Sequence, residues 1–216
     1  MDGNRRFARE QGLHTMEGHK LGYKKAKEVA EWCRDVGIKY LILYAFSTEN
    51  WKRSEEEVSY LIDIFKTGFL SEAGELKKEG GAVQFIGDID RFGTEFAAQA
   101  RALEATNPAD PVATVAIALS YGGRHEILSA VNKLIREKKE GPLTEKEFEK
   151  HLSTSNIPDP DLIVRTGGER RLSNFLPWQS VYSELFFTDT YWPAFTKEEF
   201  ESILESYKSR DRRMGK

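Results

Sequence analysis

Three short, nearly unbroken apolar runs alternate with long amphipathic stretches, and this alternation restricts the fold more than any other feature of the chain. IKYLILYAF (38–46), AVQFIG (82–87) and VATVAIAL (112–119) place apolar residues at consecutive positions over too few residues for a buried helix. Strands covered on both faces read this way, and such strands belong to parallel sheets packed under helices. Helical patterns lie around them. Over 18–37, Leu21, Ala26, Val29, Ala30, Cys33 and Val36 recur at helical spacing, and Gly37 is a stop signal. Ser54 with Glu57 opens a long helix through Val58, Leu61, Ile62, Phe65 and Phe69. Residues 92–106 and 125–140 form two more, while Thr144 with Glu147 and Thr196 with Glu199 cap two others. Brief strands fall at 162–164 and 184–187. With no repeat and no linker-like stretch, the order predicts an α/β fold of one domain, residues 1–216, with a mainly parallel sheet flanked by helices.

Composition narrows the function. Lys+Arg 32 against Asp+Glu 35 leaves a net charge of −3, without the broad basic footprint of a nucleic-acid binder. The single cysteine, Cys33, cannot close an internal disulfide, which suits a reducing cytoplasm. No apolar run approaches the roughly 18 residues of a membrane span, and the polar start is unlike a signal peptide. A cytoplasmic protein is expected, with contact at a membrane surface compatible with these features.

In open parallel sheets, ligands bind beyond the carboxyl ends of the strands. The polar clusters 47–53, 87–91, 121–124 and 165–173 sit at those ends. A further cluster, MDGNRRFA (1–8), sets the hard carboxylate Asp2 beside Gly3, Asn4, Arg5 and Arg6, which can hold a cation and a phosphate side by side. A solvated turn explains the same string without chemistry. STENWKR (47–53) crowds hydroxyl, carboxylate, amide, indole and guanidinium groups into one strand-to-helix loop, where Asn50 can orient a polar group but has no basic pKa. RTGGERRLSNF (165–175) gathers Arg165, Arg170, Arg171 and Ser173 around a Gly-Gly turn, a composition suited to a diphosphate. The apolar helix after Ser54 reads first as core packing and alternatively as the wall of a hydrocarbon tunnel. Zinc, P-loop and dinucleotide patterns are absent from the sequence.

Together these strings resemble the cis-prenyltransferases, the family of undecaprenyl diphosphate synthase and dehydrodolichyl diphosphate synthase. The likeness runs through MDGNRRFA, GHKLG, YAFSTENWKRS, FIGD, YGGRHEI, PDPDLIVRTGGERRLSNFLPWQ, SELFF and YWPAF in order, over nearly the whole chain. The double arginine is similar to archaeal and eukaryotic members, most bacterial ones having glycine at the position of Arg5. The resemblance implies condensation of isopentenyl diphosphate onto an allylic diphosphate, with a hydrophobic tunnel for the growing chain and Mg²⁺ as cofactor.

By that resemblance Asp2 is the catalytic aspartate and places Mg²⁺ on the allylic diphosphate, with Glu184 a second carboxylate associated with the metal. Gly3, Asn4, Arg5, Arg6 and His19 would bind that diphosphate, and Phe7 stands where the family often has a substrate-contacting tryptophan. Ser47, Thr48, Glu49, Trp51 and Arg53 fall on substrate positions, and Asn50 on the one usually assigned as proton acceptor. Arg165, Arg171, Leu172 and Ser173 would hold isopentenyl diphosphate. Arg213-Met214-Gly215 matches a C-terminal RxG motif that reaches a partner subunit in related dimers, which implies a homodimer.

The chain departs from the family at three places. The apolar strand that precedes MDGN in the family is expected before Met1 and is absent from this sequence. Thr15 stands at a frequent diphosphate-binding arginine and Arg170 at a histidine associated with metal. Two alternatives follow: prenyl transfer to a different acceptor on the same fold, and a non-catalytic scaffold subunit. Retention of Asp2, Asn50, Arg165, Arg171 and Ser173 weighs against the second.

Overall fold

In a computed structural model the described residues are 1–210, apart from the side chains of 69–71; the 213–215 ending lies outside them. The chain begins with helices α1 (Asn4–Glu10) and α2 (Thr15–Asp35), then strand β1 (Tyr40–Tyr44) and a 3₁₀ turn, Thr48–Lys52. Helix α3 (Glu55–Ile64), a π-helical turn (Phe65–Phe69) and α4 (Leu70–Lys78) lead to β2 (Ala82–Ile86). Then come α5 (Thr94–Ala105), β3 (Thr114–Ala118), α6 (Gly123–Arg136) and α7 (Glu145–Glu149). Strands β4 (Leu162–Arg165) and β5 (Glu184–Phe187) precede the final helix α8 (Lys197–Lys208). The chain divides into two compact units: Lys39–Pro158 with Ser173–Trp178, and Met1–Ile38 with Asp159–Leu172 and Gln179–Lys216.

The first of these, the sheet unit, holds a parallel three-stranded sheet in the order β1-β3-β2, with Thr114 in register with both Tyr40 and Ala82. The central strand is covered on both faces: Ala116, Ile117 and Ala118 are all buried. The outer edge of β2 is closed by side chains. Asn107 bonds both the N–H (3.1 Å) and the carbonyl (2.7 Å) of Val83, and Glu104 accepts from the Phe85 N–H at 2.6 Å. Those bonds satisfy backbone groups that would otherwise invite another strand. Phe46, Phe65, Phe92 and Phe96 pack edge to face or tilted in the core, so Leu61 and Phe65 of the apolar helical stretch are core residues.

The expected helix from Ser54 to Phe69 is broken at Phe65, where the backbone widens into the π-helical turn. Thr67 Oγ1 donates to the Asp63 carbonyl at 2.7 Å, a side-chain claim on the helix ladder that opens a helix locally. Most other expected elements are a few residues shorter in the structure, but helix α2 begins earlier, at a cap formed by His14 with Glu17. Helix α6 runs from Gly123 to Arg136 where the pattern predicts 125–140, and β4 extends one residue further, to Arg165.

The second, split unit contains a two-stranded parallel sheet, β4 with β5, Leu162 in register with Glu184 and Arg165 with Phe187. The expected parallel pairing therefore holds, in two sheets instead of one. Trp32, Trp192, Phe195 and Phe200 form its aromatic core. Helix α1 lies close on α2 because α2 presents glycine at two successive turns. A Cβ on Gly18 would come 2.3 Å from the Asn4 carbonyl oxygen, and one on Gly22 would come 2.5 Å from Asn4 Oδ1. The GHKLG string is therefore a flat seat for α1.

Candidate functional site

The split unit fixes Asp2 before its carboxylate meets anything charged. The Asp2 N–H donates to Thr166 Oγ1 at 3.0 Å, and that buried hydroxyl donates back to the Asp2 carbonyl at 2.9 Å. The Trp192 N–H reaches the same carbonyl at 2.9 Å. Gly3 follows at φ 102°, where a Cβ would fall 2.5 Å from the Tyr191 ring, so neither backbone shape nor space admits another residue easily.

The Asp2 carboxylate then accepts from the Gly3 N–H (2.7 Å) and from Arg165 Nη2 (2.9 Å), with Arg6 Nη2 at 3.3 Å. Burial pushes its carboxyl up, but the Arg165 hydrogen bond, the Gly3 N–H and the two guanidinium charges outweigh burial and hold it below the usual range. Arg6, stacked over Tyr191 at 5.3 Å, also faces Glu169 at 3.8 Å, and Glu169 is paired with Arg171. Arg165 Nη1 donates to the Arg171 carbonyl. Arg165, Asp2, Arg6, Glu169 and Arg171 thus form one alternating row of cations and anions.

The Gly-Gly turn is a scaffold in this row. The N–H groups of Gly167 and Gly168 donate to the carbonyls of Thr190 and Thr188, each at 2.8 Å. Gly167 has φ 87°, and a Cβ there would lie 2.8 Å from Arg6 Nη2. Anion-binding capacity at 165–171 therefore resides in the guanidinium groups, with those two backbone amides already committed.

The sheet unit carries the second cluster at the carboxyl ends of its strands. Ser47 bridges to Tyr121, and the Thr48 N–H donates to the Tyr121 carbonyl at 2.9 Å. The Ser47 N–H donates to Asn50 Oδ1 at 3.0 Å; because the donor is an N–H, the amide atom facing it is oxygen and the NH₂ group faces elsewhere. Trp51 Nε1 donates to Ser120 Oγ at 3.0 Å, with Arg91 over its ring at 4.6 Å. Arg53 pairs with buried Glu57 at 3.0 Å.

Asn174, which sequence reasoning did not single out, ties the cluster together. Its Nδ2 donates to Glu49 (3.1 Å), its Oδ1 accepts from the Arg124 N–H (2.9 Å), and its carbonyl accepts from the Gly123 N–H (2.8 Å). Ser120, Ser173, Asn174 and Leu176 all have positive φ, from 48° to 68°. Strained backbone of this kind persists where surrounding bonds over-determine it and collects at functional sites.

The sequence profile described as putative undecaprenyl diphosphate synthase matches residues 1–215. The chain belongs to that family. An isoprenyl transferase of Aquifex aeolicus is 43% identical over 216 residues, covering 100% of this chain and 93% of that protein. The tritrans,polycis-undecaprenyl-diphosphate synthase (geranylgeranyl-diphosphate specific) of Thermoplasma volcanium is 41% identical over 222 residues, covering 100% and 86%. Among solved structures, lavandulyl diphosphate synthase from Lavandula x intermedia, in complex with dimethylallyl diphosphate, is similar with TM-score 0.92. It is 32% identical, covering 100% of this chain and 95% of that one. A probable undecaprenyl diphosphate synthase from Campylobacter jejuni has TM-score 0.80 at 34% identity, covering 91% and 93%.

This member of the undecaprenyl diphosphate synthase family distributes its expected site residues unevenly. Asp2, Gly3, Arg6, Arg165 and Arg171 are gathered in the charged row, with Asn4 seated on Gly22. Arg5 is exposed on α1, Phe7 is half-buried, and His19 is buried on α2. Ser47 to Arg53 and Ser173 belong to the sheet unit, whereas Leu172 belongs to the split unit. Glu184 pairs with Arg210 and opens β5 beside Leu162, a strand length of about 10 Å from the Arg165 end of the ladder. Within one chain, Asp2 and Glu184 therefore stand at opposite ends of the β4–β5 pair. The residues found only through the structure are Thr166, Glu169, Tyr191, Ser120 and Asn174.

Proposed function

We propose that the chain is a cis-prenyltransferase that condenses isopentenyl diphosphate with an allylic prenyl diphosphate to build a long-chain polyprenyl diphosphate. The observation that carries this reading is the row itself: an ionised aspartate interleaved with three guanidinium groups on an anchored backbone. Ionising an allylic C–O bond develops charge on a diphosphate, and fixed guanidinium groups stabilise that charge without reorganising. Arg6, with Gly3, Asn4, Arg5 and His19, would hold the allylic diphosphate, while Arg165, Arg171, Leu172 and Ser173 would hold isopentenyl diphosphate. Holding the alkene against the allylic carbon turns a bimolecular encounter into an effectively unimolecular step. Asn50 orients substrate through its NH₂ group, its oxygen being committed to Ser47.

Mg²⁺ is part of the proposal. Asp2 fits it as a hard oxygen donor whose low carboxyl pKa keeps it ionised, since Mg²⁺ commonly takes one or two carboxylates together with substrate phosphates. Bound there, the ion would neutralise charge on the departing diphosphate. Glu184, paired with Arg210 at the end of the β4–β5 ladder remote from Asp2, is the further carboxylate proposed for the metal, which it would reach from the other copy of the proposed homodimer. Half-buried Val58 and Ile62 are the candidates for a tunnel wall. A homodimer, a cytoplasmic location and product release at a membrane surface complete the reading; among the described residues no helix is long and apolar enough to cross a membrane.

The likeness to a lavandulyl diphosphate synthase favours a second reading, transfer of the prenyl group to an acceptor other than isopentenyl diphosphate. One assay separates the two. The protein is incubated with Mg²⁺, isopentenyl diphosphate and a panel of allylic primers, with the label on isopentenyl diphosphate in one arm and on the primer in another, and the extracted products are chromatographed. A ladder of elongated products is expected. A single product from dimethylallyl diphosphate alone would favour the second reading, and no product with any primer would overturn both.

A further inference from the structure

Glu169 has no role in the reading above, yet it occupies the middle of the site that reading describes. Its carboxylate lies between Arg6, at 3.8 Å, and Arg171, with which it is paired. The turn carrying it is fixed by the Gly167 and Gly168 N–H bonds to Thr190 and Thr188, and both glycines have positive φ, 87° and 80°. Glu169 is therefore mounted on an anchored turn. A carboxylate and a phosphoryl group present acceptor oxygens at similar spacing, and a guanidinium fork donates to either. Arg171, hydrogen-bonded to Glu169, and Arg6, 3.8 Å from it, flank the carboxylate as two guanidinium groups would flank a phosphate.

We infer that Glu169 is a displaceable internal anion that occupies the arginines between turnovers and speeds release of pyrophosphate. This rests on the proposal that Arg6 and Arg171 take diphosphates. A diphosphate carries more charge than one carboxylate and offers more acceptor oxygens, so the allylic diphosphate takes Arg6 and isopentenyl diphosphate takes Arg171 away from Glu169. The side chain of Glu169 is 38% exposed and can swing toward solvent without losing a buried partner. Its negative charge then stays beside the ligand and weakens binding. After condensation the pyrophosphate left by the allylic substrate is held by fewer groups than a whole substrate, and the returning carboxylate competes for Arg6, the arginine assigned to that departing group. The device costs affinity and gains turnover, a compromise suited to an enzyme that must eject pyrophosphate once per added unit.

The test uses inorganic pyrophosphate in magnesium-free buffer, with affinity measured by calorimetry and dissociation by stopped flow. Glu169→Gln keeps the shape and removes the charge; Glu169→Asp keeps the charge and serves as reference. Removing one charge at a half-exposed site about 5 Å from the ligand should tighten pyrophosphate binding roughly tenfold. Dissociation should slow to match, while Glu169→Asp stays near the parent. Under turnover, Glu169→Gln should lower KM and kcat together. Equal or weaker pyrophosphate binding by Glu169→Gln would overturn the inference and make Glu169 a brace that holds the arginines in place. Failure of the parent protein to bind pyrophosphate at all would instead overturn the diphosphate assignment beneath it. Unchanged melting of the variants separates either result from loss of fold.

Discussion

Asp2 and Arg165, 163 residues apart, meet at 2.9 Å, and the aspartate is pinned through its own backbone to Thr166, the residue after its partner. Because the backbone bonds fix Asp2 independently of its charge, removing the charge should leave the geometry largely intact. Asp2→Asn is expected to keep the Gly3 bond, lower kcat by roughly 10²–10³, and change KM less. Its effect on stability should depend on pH. The carboxyl is depressed in the folded state, so its contribution is present above its ordinary value near 4 and is lost as pH falls through the lower folded value. The Tm difference between parent and Asp2→Asn should hold steady from pH 8 to about 5 and shrink below about 4. A difference independent of pH down to 3 would contradict the assigned pairing.

Much of this arrangement is written locally in the sequence, and the part that is not follows a physical divide. The strands β1, β2 and β3 are legible because parallel strands covered on both faces need consecutive apolar residues. Ser54, Thr144 and Thr196 are legible as caps because hydroxyls at helix starts accept N–H bonds three residues on, as all three do. His14 was not legible, since a histidine seldom caps. The break at Phe65 arises from one hydroxyl, on Thr67, inside an otherwise regular apolar pattern. At the site, residue types were legible but pairings were not. Nothing local in RTGGERR says that Glu169 faces Arg6, or that the Gly-Gly amides are spent on Thr188 and Thr190. Those facts depend on contacts across more than 150 residues in one case and about 20 in the other.

Gly22 carries a sharp prediction about packing. Its missing Cβ makes room for Asn4, and its carbonyl accepts from buried Trp192 Nε1 at 2.8 Å. Gly22→Ala puts a carbon 2.5 Å from Asn4 Oδ1, so α1 must shift or the asparagine must rotate. Overpacking of this kind costs about 1–3 kcal/mol. Thermal melting should show a loss of several degrees, with activity falling further than stability because Asn4 belongs to the proposed diphosphate site. A variant that melts like the parent would show that α1 is seated less tightly than described.

His151 should make stability depend on pH in the opposite direction from Asp2. Its Nε2 bonds Glu137 and its Nδ1 bonds the Glu147 carbonyl, both at 2.9 Å, and these two acceptors raise its pKa. With the folded value raised, the stabilisation is full below the ordinary value near 6.5 and fades as pH rises through the folded value. The Tm advantage of the parent over His151→Gln should be largest near pH 5.5 and smallest near pH 8.5. A gap of the same size at both ends would show that the ring acts only as a neutral hydrogen-bonding group.

Asn50 offers the clearest separation between orienting a substrate and accepting its proton. Its oxygen is held by the Ser47 N–H at 3.0 Å, and its Nδ2 has no partner among the described residues. Asn50→Asp retains an oxygen for Ser47, so the 47–52 turn should survive, but it turns the other amide position into a charged acceptor. If the residue works by donating to a substrate oxygen, the carboxylate repels the diphosphate it should hold. The value of kcat/KM for isopentenyl diphosphate should then drop on the order of 10²-fold with little change in melting. If it accepted the proton instead, a carboxylate would be the stronger base and Asn50→Asp would match or exceed the parent. Asn50→Ala, lacking both groups, should lose activity and also destabilise the turn, because the Ser47 N–H is left without its acceptor. Steady-state kinetics and melting on the two variants decide the matter, since only a donor role predicts a stable but crippled Asn50→Asp.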